Sequence, residues 1–270
     1  MSYDIVGNHF TGLLVPAEKP QSFKAYEQNQ PMLSLSEIKR ILADENRTPA
    51  RKRFSAKLFI KNQGGRGSCN GYAGAWALVR ARIMAGLKFE ALSGEYLYSM
   101  INGGRDSGSM LDDGMKALME KGVALESLVQ HESYLWSQMS ESARQSANRF
   151  KAVECYTANT EIGLASGLAL GFVGVVAVHA TNSWMHLDAN GISDPSRGPG
   201  NHAVCCQDVA VMSDTLCFDI ANSWGLSFGR EGHAWNTWKD HLATPNQYHA
   251  FYLIRGCTDD PQHLPPTPKD

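Results

Sequence analysis

The chain predicts an α+β fold in which a helical first half packs across a cleft from a β-rich second half. Two observations carry this. Between Cys69 and Phe150 apolar residues recur at helical spacing, in segments that end at glycines such as Gly86 and Gly122. After Phe150 short runs rich in valine, isoleucine and aromatics alternate with polar loops, as strands do. Segregated elements of this kind build α+β proteins, in contrast to alternating βαβ units. With 270 residues and 43% hydrophobic content, the chain suffices for one large domain or two small ones around a sizeable core.

Taken in order, residues 1–34 are irregular, with Pro16, Pro20 and Pro31 interrupting any period. They read as an extended arm or a segment laid over a partner surface. "SLSEIKRILADENR" (34–47) begins with a capping box, Ser34 with Glu37, and continues with Ile38, Ile41 and Leu42 on one face, predicting a short helix. Residues 47–61 read as a linker. From Cys69 to about Gly86, Tyr72, Ala75, Trp76, Val79 and Ile83 form one stripe, with Arg80 and Arg82 on its flanks. "GSMLDDGMKALMEKG" (108–122) predicts a second helix, capped by Ser109 and stopped by Gly122. "SQMSESARQSANRF" (137–150) is helical at least in part. "KAVECYTA", "VGVVAVHA", "HAVCCQDVAV", "LCFDIANSW" and "HAFYLIRG" predict strands. The division is therefore 1–50 as an N-terminal extension or pro-like arm and 51–257 as the domain. Its helical half covers about 62–150 and its β-rich half about 151–257. The proline-rich residues 258–270 are a disordered tail.

Several function classes are disfavoured. A net charge of −2 and a pI near 6.5 argue against nucleic-acid binding, and Arg51-Lys52-Arg53 is too short a basic run to change that. "MSYDIVGNHF" lacks the basic and apolar regions of a signal peptide, so a cytoplasmic or virion-associated setting is expected. "GLASGLALGFVGVVAVHA" (163–180) is apolar, but its four glycines and its neighbours Glu161 and His179 suit a helix leading into a buried strand, not a membrane span. None of the six cysteines, Cys69, Cys155, Cys205, Cys206, Cys217 and Cys257, forms a C-x-x-C pair, so no structural zinc site is expected and reduced thiols are the default.

One thiol stands in an unusual context. "QGGRGSCNGYAGAW" (63–76) places Cys69 after a glycine-rich polar run and at the head of a helix. The positive end of the backbone dipole favours thiolate there, and a thiolate is a nucleophile. Gly64, Gly65 and Gly67 allow close approach of a substrate. A cysteine nucleophile needs a base. His202, just before a strand and after the loop "DPSRGPGN", is the candidate; His179, at a strand end, is its competitor, with His186 and His233 weaker. The base needs a partner for its second nitrogen, and Asn222 follows a predicted strand, with Trp224 available to shield that hydrogen bond from water.

These pieces together resemble the papain-like cysteine proteases over roughly residues 60–255. The order Cys, His, Asn is the family's. "NQGGRGSC" resembles its Q-G-x-x-G-S-C run, with Gln63 six residues before Cys69; "NHAV" and "NSWGLSFGREGHAW" resemble its histidine strand and its late N-S-W-G segment; "LSGEYLYSM" resembles its L-S-E-Q-x-L stretch. The resemblance implies a papain-like fold, with Cys69 as nucleophile, His202 as general acid and base, Asn222 as its orienting partner and Trp224 covering that contact. It also implies that Gln63 donates to the oxyanion beside the Cys69 N–H. Gly108, flanked by Ser107 and Ser109, would be the glycine of the strand that pairs with substrate backbone, although Gly103 and Gly104 compete for that place. The family's tryptophan after the nucleophile is Asn70 here, its cysteine three before the nucleophile is Arg66, and its second late tryptophan is Phe228. The implied activity is hydrolysis of peptide bonds through an acyl-enzyme, on protein or peptide substrates, with no metal or cofactor. The alternatives are a thiol amidase acting on cell-wall peptide and a papain-like fold used as an assembly module, for instance in a phage particle held through the N-terminal arm. A further reading makes residues 1–50 an inhibitory arm lying in the cleft.

Overall fold

In a computed structural model, residues 4–18, 20–44, 60–242 and 251–259 are described. The expected 47–61 linker and the tail beyond Asp259 fall almost wholly outside these residues. Two two-residue strands, β1 (Ile5–Val6) and β2 (His9–Phe10), form a hairpin in the arm that sequence reading left irregular. A single helical turn, α1 (Tyr26–Asn29), precedes α2 (Leu35–Leu42). The capping box of α2 is formed as its sequence predicts, with the Glu37 N–H donating to Ser34 Oγ and the Ser34 N–H donating to the Glu37 carboxylate.

The helical half contains α3 (Cys69–Met84), α4 (Gly94–Ile101), α5 (Leu111–Glu120) and α6 (Glu141–Ala147). The second half holds β3 (Ala152–Ala158), α7 (Glu161–Ala169), β4 (Val173–Val178), β5 (His202–Met212), β6 (Thr215–Ala221), β7 (His233–Thr237) and β8 (Phe251–Cys257). Six strands form one antiparallel sheet in the order β3-β8-β4-β5-β6-β7. The apolar run at 163–180 is α7 followed by β4, all six of whose residues are buried. No helix among the described residues is long and apolar enough to cross a membrane.

Helix α3 is the spine, packed against α4 on one side and against β4, β5 and β8 on the other. It therefore carries no polar face: Arg80 and Arg82, expected on its flanks, are buried. Arg82 pairs inside with Asp259, at 2.6 Å from Nη2, and donates from Nη1 to the Lys88 carbonyl at 2.8 Å. Small residues set the helix spacing. A Cβ at Gly71 would lie 2.3 Å from the Gly94 carbonyl oxygen, and one at Gly94 would lie 2.8 Å from Tyr72 Cα, so α3 and α4 touch through backbone. Helix α5 begins one residue later than its sequence suggests. Its N-cap is Met110, with no side-chain cap, and the buried Ser109 hydroxyl accepts from Asn70 Nδ2 at 3.1 Å instead.

Candidate active site

Cys69 is the first residue of α3 and is fully buried. The residue after His202 explains how a distant strand meets it: the Ala203 N–H on β5 donates to Cys69 Sγ at 3.5 Å. His202 opens β5, paired with Val178 of β4. Its Nε2 lies 2.7 Å from Asn222 Oδ1, just past the end of β6. The β5–β6 register, Cys205 opposite Ala221, brings these two side chains to the same end of the sheet. Trp224 stacks on the His202 imidazole, with centroids 4.5 Å apart and planes 30° apart. Trp184, which sequence reading passed over, presents its edge to the same ring at 6.2 Å and is anchored through Nε1 to Asn236 Oδ1. Phe228 packs at 5.0 Å from Trp184, completing an aromatic wall where the family has a tryptophan. The competing histidines are engaged elsewhere: His179 Nδ1 meets the Pro199 carbonyl at 2.7 Å, His186 faces Asp194, and His233 faces Asp219.

Gln63 is buried and held on every side. Its Oε1 accepts from the Ser223 hydroxyl at 2.6 Å, and its Nε2 donates to the Arg66 carbonyl at 2.7 Å and to the Phe10 carbonyl at 3.1 Å. On the opposite rim the Ser109 backbone pairs with the chain's own N-terminal residues. Its N–H donates to the Gly12 carbonyl at 2.9 Å and its carbonyl accepts from the Leu14 N–H at 3.0 Å. Gly108 adopts φ +83° and its N–H donates to Tyr98 Oη at 3.0 Å; a Cβ there would lie 2.2 Å from the Gly12 oxygen. Ser107 is half-buried in the turn before it.

The partners at Phe10, Gly12 and Leu14 reveal what fills the cleft. Residues 9–14 of the chain run between the two halves. The Leu13 N–H donates to the Asn201 carbonyl at 3.1 Å, beside His202, while Leu13 bridges Ser109 of the helical half in parallel sense. His9 lies flat on Trp224, with centroids 4.7 Å apart and planes 6° apart. The Gly7 N–H donates to Asn182 Oδ1 at 2.8 Å. The Gly12 amide is directed at the Cys69 sulfur.

This cover decides the charge state. Burial pushes the Cys69 thiol up to about 11, against the amides of Ala203, Gly12, Asn70 and Cys69 itself, which favour thiolate. Burial also pulls His202 down to about 4, with the neighbouring His9 adding to the effect and the Asn222 hydrogen bond opposing it. The helix-start argument expected a thiolate. With the cleft filled, burial opposes the helix dipole at Cys69, and among the described residues the buried His202 Nδ1 makes no hydrogen bond. All six cysteines are free and buried.

A buried thiol at a helix start, a histidine held by a carboxamide and a glutamine near them thus meet at the seam of a helical and a β half. A profile described as papain family cysteine protease matches residues 47–244. The chain belongs to that family. Cysteine proteinase 1 of Entamoeba histolytica is 26% identical over 190 residues, covering 64% of this chain and 58% of that protein, less than two thirds of its length. Xylellain, a cysteine protease from Xylella fastidiosa, has a similar fold, with a TM-score of 0.66 and 22% identity over 94% of this chain and 99% of that one. So does digestive procathepsin L 3 of Tenebrio molitor, with a TM-score of 0.60 and 16% identity over 90% and 77% of the two chains.

Proposed function

We propose that the chain is a thiol endopeptidase that works through Cys69, His202 and Asn222, and that its own residues 4–14 keep it latent. The observation that supports the triad most directly is the 2.7 Å contact of His202 Nε2 with Asn222 Oδ1 beneath Trp224, which leaves Nδ1 as the free nitrogen on the strand whose next amide reaches Cys69 Sγ. Once the cleft is open to water and substrate, the dipole of α3 and its amides favour thiolate, and His202 takes the thiol proton at Nδ1. Sγ bonds to the carbonyl carbon of the substrate. The developing oxyanion is met by Gln63 Nε2 and the Cys69 N–H. His202 gives its proton to the departing amine as the C–N bond breaks. Water then attacks the thioester, its proton passing to His202, and the acid leaves.

The arm supports latency because it uses the same groups. The Phe10 carbonyl oxygen stands where Gln63 would hold a substrate oxygen, and the Ser109 backbone on the opposite rim is taken up by Gly12 and Leu14. A match over 94% of this chain to xylellain takes in most of the N-terminal segment, and the Tenebrio relative bears the name of a proenzyme.

The experiment is mass spectrometry of the full chain with an activated peptide ester, together with peptide cleavage. The native chain gains one acyl group on Cys69 slowly, only as often as the arm leaves the cleft, and turns it over. Cys69→Ala gains none. His202→Ala, with unchanged circular dichroism, loses turnover by at least about a thousandfold. Retained turnover in His202→Ala removes His202 from the mechanism.

A further inference from the structure

The loop that carries Gln63 is rich in glycine, with Gly64, Gly65 and Gly67 between Gln63 and Cys69. Such a segment has many accessible conformations, yet the proposed oxyanion donors sit at its two ends. Arg66 stands where the resembled family has a cysteine, and no disulfide holds the loop. Something else must fix it.

We infer that Asp106 is a positioning residue that clamps the peptide unit between Arg66 and Gly67 and thereby sets the Gln63 carboxamide; this rests on the proposed oxyanion role of Gln63. One peptide unit is gripped from both ends. Its C=O, belonging to Arg66, accepts from Gln63 Nε2 at 2.7 Å. Its N–H, belonging to Gly67, donates to Asp106 Oδ1 at 3.0 Å. Rotation of that unit would carry Gln63 Nε2 away, and the carboxylate prevents rotation. Asp106 is itself fixed. Oδ1 also accepts from Tyr98 Oη at 2.9 Å, and Oδ2 faces Arg66 Nη1 at 3.4 Å. The Arg66 guanidinium lies over the Tyr134 ring at 4.8 Å, which holds the pair against the helical half.

The same carboxylate reaches the other rim. Tyr98 Oη donates to Asp106 and accepts from the Gly108 N–H at 3.0 Å, next to the Ser109 backbone that pairs with Gly12 and Leu14. Asp106 thus ties the oxyanion loop to the strand-pairing rim by two bonds. The side chain is only 14% exposed, so these bonds are made largely out of water. Glu132 grips the same loop two units earlier, its Oε1 accepting from the Gly65 N–H at 2.8 Å, away from the unit that Gln63 holds.

The test compares two reactions of Cys69 in the full chain. Alkylation by iodoacetamide needs the thiolate but no oxyanion site, whereas acylation by an activated peptide ester needs both. Each requires the arm to leave, so the ratio of the two rates is independent of how often it does. In Asp106→Ala the ratio falls by about tenfold or more, the order expected when an oxyanion donor is mis-set. In Asp106→Asn, whose Oδ1 still accepts from Gly67 and Tyr98, it stays within about threefold of native. Equal ratios in native and Asp106→Ala chains overturn the inference. A native chain that is alkylated at Cys69 but never acylated counts against the peptidase reading instead. The clamp is then read from the Gln63 side-chain amide protons by NMR: they exchange faster with solvent in Asp106→Ala, and unchanged exchange overturns it.

Discussion

At the scale of single residues the cleft is governed by atoms that are missing a Cβ. Gly12 lies so close to the oxyanion loop that an added Cβ would stand 2.0 Å from the Gly67 oxygen and 2.4 Å from its carbonyl carbon. Both are backbone, with no flexible end to swing aside, and the cost is steric because Gly12 is not at positive φ. Gly12→Ala should therefore lift the arm. The expected result is a rise of about tenfold or more in the rate of Cys69 alkylation at pH 7, the equivalent of about 1.4 kcal/mol of lost arm binding. An unchanged rate would mean that the arm does not limit access. The proposed trio of Cys69, His202 and Asn222 was legible at this scale because thiol, imidazole and carboxamide are chemically distinctive and each stood at a strand or helix boundary. Asp106 was not. It is one carboxylate in the turn "NGGRDSGSM", and nothing in a linear string shows that it reaches back to Gly67.

Among elements, α3 shows how a sequence pattern can be right about type and incomplete about surroundings. Its length and apolar stripe predict a helix, and a helix is found. The stripe also implied a solvent face, but alanines and glycines on the remaining sides let α4 and the sheet close in together. Small residues are nearly neutral in periodicity, so their meaning appears only when the partner backbone is in place. The α3–α4 crossing depends on Gly94, where an added methyl would meet Tyr72 Cδ2 at 2.5 Å as well as its Cα. Gly94→Ala should lower stability by about 1–3 kcal/mol, read as a lower urea midpoint with an unchanged slope. A midpoint equal to native would show that the two helices can slide apart without loss. Ser109 teaches the complementary lesson. As a serine just ahead of a helical run it looked like an N-cap, but the cap position falls to Met110, and the Ser109 backbone is spent on the cleft.

For the whole molecule, the α+β division across a cleft is visible in the sequence, because helical and strand periodicities separate at Phe150. The path of the first forty residues is not. An arm with no period of its own takes its shape from the surface it covers, and that surface is assembled from Gln63, Ser109, Asn201 and Trp224, widely spaced along the chain. Closure has a pH signature. His202 is held at about 4 when covered, below its ordinary 6.5, so its contribution to the closed form is fully present above pH 6.5 and is lost as pH falls toward 4. Cys69 is held at about 11, above its ordinary 9.0, so its contribution is present below pH 9 and is lost as pH rises toward 11. Measured against free side chains, burial therefore favours the covered groups most between about pH 6.5 and 9.

That the covering strand and its seat are one covalent chain has a thermodynamic corollary. A separate peptide of the same residues would leave the seat on dilution, its occupancy set by its own concentration. A tethered one meets its seat at a fixed local concentration, of millimolar order for a short flexible connection, however few molecules share the solution. Occupancy then changes only when the strand is cut, reshaped or outcompeted, or when its seat takes up or gives up protons.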